Sequence, residues 1–97
     1  MITISGYNFE GPYPLDKTNF NDVAAVYVIL DDLGKKIDVG ETDLLKTRLA
    51  NHERKDCWRR STNREILVVA LLEPNQETRK TIESQIRSSF NFPCGEE

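Results

Sequence analysis

Two cysteines and one histidine in 97 residues are too few for a Cys/His zinc centre, which needs four such ligands in regular spacing. Cys57 and Cys94 stand 37 positions apart and belong to no Cys-x-x-Cys pair, so no disulfide framework is expected and both are read as reduced thiols. No apolar run approaches the roughly 18 residues that would span a membrane. Met1-Ile2-Thr3-Ile4-Ser5 carries neither a basic leader nor a long apolar stretch, so no signal peptide is expected, and the expected compartment is the cytoplasm. Repeats, low-complexity tracts and linkers are also lacking. What remains is one small folded unit, with 38% apolar residues and eight aromatics to build a single core.

The net charge of −3 argues mildly against a polyanionic partner. Its distribution does not. From Lys46 to Arg64 there are seven basic residues against Glu53 and Asp56, a local charge of +5, so the rest of the chain carries −8. That stretch can hold a polyanion, or it can be the solvated face of a helix and a charged loop.

Residues 1–22, with Gly6, Gly11, Pro12 and Pro14, read as an irregular lead-in to a domain over 23–97. Ala24 to Leu30 is a β-branched and aromatic run of the kind covered on both faces. Asp31-Asp32-Leu33-Gly34 and the alternating Lys36–Gly40 turn it into a hairpin. A two-residue loop at Leu33-Gly34 would set Tyr27 opposite Gly40 and Asp38 opposite Ile29, with Tyr27 and Asp38 on one face. Thr42 or Asp43 then caps a helix to about Arg54. Glu65–Leu72 is the best central strand, and Pro74-Asn75 opens a helix from Gln76 to Phe90. The order is β-β-α-β-α. The expected class is α+β, a small, mainly antiparallel three-stranded sheet with flanking helices.

On the first helix, Arg48 and His52 fall at 40° and 80° inside the apolar arc set by Leu44, Leu45 and Leu49, at 100° per residue (roughly). Unpaired charges are costly to bury, so the pair points to a polar pocket where helix meets sheet. On the last helix Glu83 sits just past the stripe of Ile82, Ile86 and Phe90. It either pairs with Arg79 or Arg87 along the helix or opens onto the same pocket.

Ala25-Val26-Tyr27, Asp38-Val39-Gly40, Arg48, His52 and Glu83 stand in the order and spacing that resemble the GIY-YIG endonuclease family, over roughly Val23 to Pro93. Ala25 replaces the first glycine and Asp38 the second tyrosine. The resemblance implies metal-dependent cleavage of DNA phosphodiester bonds. Tyr27 would be the general base, with Arg48 and His52 on the scissile phosphate and Glu83 on Mg²⁺ or Mn²⁺. Asp38 would be a further metal ligand. Lys46, Arg54, Lys55, Arg59 and Arg60 would grip the DNA backbone; Trp58 reads first as a partly buried packing residue and, alternatively, as a platform on which a base would stack. Site specificity would require a homodimer or a protein partner. The other reading is an inactive module of the same fold that binds nucleic acid or a protein.

Overall fold

A computed structural model describes residues 1–95. The strands are β1 (Ile2–Ile4), β2 (Tyr7–Pro14), β3 (Ala25–Asp31), β4 (Lys36–Thr42) and β5 (Ile66–Leu72). The helices are α1 (Leu45–Ala50), α2 (Lys55–Ser61) and α3 (Gln76–Ser89). The strands form one sheet in the order β1-β2-β5-β3-β4, with every neighbouring pair antiparallel. The α+β class is as expected; the sheet has five strands rather than three.

The two additional strands lie in the supposed lead-in. Ser5 and Gly6, both at positive φ, make the two-residue turn that folds β1 onto β2. Pro12 and Gly11 weigh against a strand in the sequence. The chain accommodates them in an irregularity between Glu10 and Tyr13, where the β2–β5 register shifts. Gly11 has φ +110° there, and a β-carbon on it would lie 2.9 Å from the Val68 carbonyl. Only the stretch from Leu15 to Ala24 remains irregular.

β3 is buried along its whole length because the sheet is covered on both sides. Ala25, Tyr27 and Ile29 face Leu45, Leu49 and Trp58 of α1 and α2. Val26, Val28 and Leu30 face Ile82 and Ile86 of α3. The unbroken apolar run is thus the sum of two alternating faces.

Tyr27 pairs with Gly40 and Ile29 with Asp38, the expected register. The loop producing it differs. Asp31 N–H bonds the Lys35 carbonyl and Gly34 N–H bonds the Asp31 carbonyl, enclosing three residues, and a bulge between Ile29 and Leu30 restores the alignment.

The helix expected up to Arg54 stops at Ala50, and α2 fills part of the basic stretch. Neither Thr42 nor Asp43 caps α1; Asp22 does, accepting from Thr47 N–H (2.8 Å) and Thr47 Oγ1 (2.9 Å). For α3 the local signal suffices, with Asn75 Oδ1 accepting from Thr78 N–H at 2.9 Å.

After α3 the chain returns to β4, the unpartnered sheet edge. Cys94 N–H bonds the Ile37 carbonyl, Arg87 donates to the Val39 carbonyl, and Cys94 is joined to Cys57 of α2 by a disulfide. This overturns the reading of both cysteines as free thiols. The Cα atoms stand 5.8 Å apart because the tail and α2 lie against the same strand, which no local pattern announces. Covering β4 in this way removes an edge that would otherwise template strand addition.

Candidate functional site

Gly40 makes room for Tyr27. A β-carbon there would fall 2.5 Å from Tyr27 Cζ, so the phenol lies across β4 where its cross-strand partner has no side chain. The ring is buried and its hydroxyl stands 2.7 Å from His52 Nε2.

His52 is not on α1, as the helical spacing implied. It lies in the turn between α1 and α2, where its Nδ1 accepts the Arg54 main-chain N–H at 3.1 Å, two residues on, as an Asx-turn side chain does. That contact determines the tautomer. Nδ1 is the acceptor, so in the neutral ring Nε2 carries the hydrogen and donates it to the Tyr27 oxygen.

Arg48 lies beside the same phenol, and its charge, with that of Arg54, lowers the Tyr27 pKa. Burial is the larger influence and pushes the phenol up to about 12, so Tyr27 holds its proton at neutral pH. The phenol oxygen nevertheless faces an Nε2–H donor and two guanidinium charges, surroundings suited to a developing negative charge.

Burial, followed by the repulsion of Arg48 and Arg54, pushes His52 down to about 4. An unfolded histidine takes up a proton near pH 6.5 (roughly). Between that pH and 4 the unfolded chain binds the proton and the folded chain does not, so stability falls with pH. The full window corresponds to about 3 kcal/mol. Thermal melts from pH 7 to 4.5 should show a loss that shrinks in His52→Gln. An equal slope in the variant would assign the acid sensitivity to other groups.

Asp38 is completely buried and accepts from Arg54 Nε (2.7 Å), Trp58 Nε1 (2.8 Å), Arg87 Nη2 (3.0 Å) and Val39 N–H (2.8 Å). Burial alone would raise its pKa, but the bonds from Arg54 and Trp58 outweigh it and hold the carboxyl below its usual range. Both oxygens are engaged by protein donors, so Asp38 does not fit the part of a metal ligand. The same bonds withdraw Arg54, expected on DNA, and hold Trp58 in the buried place favoured for it over base stacking. Arg54 is held inward by Asp38, and Trp58 is fully buried with its ring centroid 4.5 Å from that of His52. Lys46, Arg59 and Arg60 remain exposed and Lys55 partly so, with Arg59 lying 3.5 Å from Asp16.

Glu83 stands apart, on α3 across the sheet. It forms no hydrogen bond or ion pair with Tyr27, Arg48 or His52 among the described residues. Its partner is Arg87, at 3.6 Å, one of the two expected; Arg79 instead binds Glu41 at 2.8 Å. Arg87 is also bound to Asp38, and Asp38 to Arg54, so a row of paired charges runs from Glu83 around the β4 edge toward His52. Burial first, then the neighbouring Glu41 charge, raises the Glu83 pKa against the pull of Arg87. Among the described residues no group of three or more His, Cys, Asp or Glu side chains is placed to hold a metal ion, so Glu83 would have to bind one as a single carboxylate, with waters and substrate phosphate.

No protein-family model, curated protein or solved structure matches the chain.

The case for the site therefore rests on its own geometry. The fold assembles Tyr27, His52 and Arg48, while Glu83 reaches them only through the ionic row. Sequence reasoning missed the structural role of Asp38 and the bonds that Trp58 and Arg87 make to it. Their spacings of 20 and 49 residues from Asp38 carry no periodic signal.

Proposed function

We propose that the protein is a divalent-metal-dependent endonuclease that hydrolyses DNA phosphodiester bonds. The observation that carries the reading is the set of donors around the Tyr27 oxygen: His52 Nε2–H at 2.7 Å and the guanidinium charges of Arg48 and Arg54. A buried phenol used only for packing needs one hydrogen-bond partner; at this one the Arg48 and Arg54 charges also work against the burial that raises its pKa. Once its own proton has passed to solvent, Tyr27 as phenolate takes the proton of the attacking water. His52 holds the phenol oxygen in place, and its lowered basicity keeps its ring from competing with the phenolate for that proton. Arg48 turns from Glu53 to the scissile phosphate, exchanging one bidentate oxyanion partner for another.

Glu83 would hold Mg²⁺ or Mn²⁺. When bound, the ion supplies charge neutralisation at the phosphate and acidifies a coordinated water. Lys46, Lys55, Arg59 and Arg60 hold the DNA backbone through contacts that carry no sequence information, so defined target sites require a homodimer or a protein partner. The cytoplasm is the proposed compartment. No helix among the described residues is long and apolar enough to cross a membrane.

A second reading, an inactive module of the same fold, is favoured by one observation. Arg48 and Arg54 each already have a carboxylate, Glu53 at 2.7 Å and Asp38 at 2.7 Å. In that case the charges are scaffold and binding falls to the exposed lysines and arginines.

Tyr27→Phe and Glu83→Gln separate the two. Both should retain DNA binding in a gel shift and lose cleavage by at least about 100-fold, the scale of a removed acid–base group. Glu83→Gln should melt no lower than the parent, because it relieves the burial of a charge. Cleavage unaffected by both substitutions would exclude this assignment of roles.

A further inference from the structure

Asp38 is completely buried, faces the reactive pair, and is bonded to the two residues that hold His52. Its carboxylate fixes the Arg54 side chain through Nε, and Arg54 N–H is the hydrogen that His52 Nδ1 accepts. It fixes the indole of Trp58 through Nε1, and that ring lies against the imidazole. Arg87, the second cation on Asp38, ties the same carboxylate to α3, and the chain at Gly95 closes over it.

We infer that Asp38 is a positioning residue for the Tyr27–His52 pair: through Arg54 and Trp58 it locks His52 in the orientation and tautomer that direct Nε2–H at the phenol oxygen. The importance of that lock for turnover rests on the nuclease reading above; the lock itself does not.

The physical argument is one of constraint. His52 lies in a turn, where an imidazole can rotate about two side-chain bonds and can exchange the hydrogen between its nitrogens. Its own turn supplies one bond, at Nδ1. The donor of that bond belongs to Arg54, whose position is set by a bidentate approach to Asp38, at 2.7 Å for Nε and 3.4 Å for Nη2. A neutral side chain at position 38 accepts fewer of these bonds and attracts neither guanidinium. Ring rotation and both tautomers then become available.

His52 is the only histidine, so nitrogen-15 NMR of the whole chain reports its two ring nitrogens without overlap. The parent should show Nε2 protonated and Nδ1 bare at neutral pH. Asp38→Asn keeps the side-chain size and removes the charge, and it should give shifts averaged between the two tautomers, with plasmid nicking reduced at least tenfold. Arg54→Ala is the companion variant. It cuts the tie between Asp38 and the turn that presents the residue-54 N–H and leaves most of the core in place, so it keeps the experiment decisive if Asp38→Asn does not fold. It too should give averaged shifts. A single unchanged Nε2–H tautomer in every folded variant would overturn the inference and leave Asp38 a charge that neutralises its neighbours. Averaged shifts in the variants uphold the lock whether or not the parent nicks DNA. A parent with the lock and no nicking removes the nuclease reading alone.

Discussion

Asp38→Ala is expected to destabilise the fold by about 3–5 kcal/mol, the range for removing one partner from a buried ion pair. The carboxylate is 0% exposed and accepts from four separate residues. Its loss leaves the Trp58 indole N–H without an acceptor in the core and sets Arg54 and Arg87 side by side without the charge between them. An unsatisfied buried donor alone costs about 1–3 kcal/mol. Water reaching the partly exposed guanidiniums would bring the total toward the lower end. Denaturant unfolding of parent and variant measures it, and a loss below 1 kcal/mol would mean that the network contributes little. The sign with pH follows from the lowered Asp38 pKa: its stabilisation is present above the unfolded carboxylate value and disappears as pH falls through the folded one.

Reduction of the Cys57–Cys94 disulfide should have an effect of similar size. The bridge closes a loop of 37 residues, and the loss of chain entropy in the unfolded state corresponds to about 4 kcal/mol. The loop runs from within α2 through β5 and α3 and ends on the β4 edge, so the reduced protein should open first at its C-terminal tail. Melting with and without a dithiol reductant, beside a Cys57→Ser/Cys94→Ser double variant, checks this. The reduced parent and the double variant should melt together, well below the oxidised parent. Trp58 is the sole tryptophan and follows Cys57 in sequence, so its fluorescence should report whether α2 stays docked. Equal melting of all forms would contradict the account.

These two results concern the features least visible in the sequence. β3, β5 and α3 were legible because their signals are local: a β-branched run, a second one, and Asn75 three residues before Thr78. The pairing of Tyr27 with Gly40 was legible too, although a three-residue loop and a bulge produce it rather than a two-residue turn. β1 and β2 were hidden behind Gly11, Pro12 and Pro14, whose usual meaning is loop; here the register shift absorbs them at the edge of β5. The cap of α1 comes from Asp22, 25 residues before the Thr47 it bonds, and no spacing rule reaches so far.

Within the site, the polar stripe of Arg48 and His52 led to the right neighbourhood for an incomplete reason. The two do gather at Tyr27, but His52 arrives through a turn after α1 has ended. Glu83 was identified as a carboxylate at the margin of the core, and its raised pKa agrees with that position. Asp38 was misjudged. Beside a phosphate site it reads as a further metal ligand; in the fold it is the anion that Arg54, Arg87 and Trp58 share.

The most direct test of the nuclease assignment is incubation of the purified protein with supercoiled plasmid and single-stranded DNA, in Mg²⁺, in Mn²⁺ and in EDTA, beside Glu83→Ala. The account predicts nicking by the parent that requires the divalent ion and is absent from the variant. No nicking by the parent under any condition, with a gel shift that weakens as salt rises, would contradict it and leave an inactive binding module in its place.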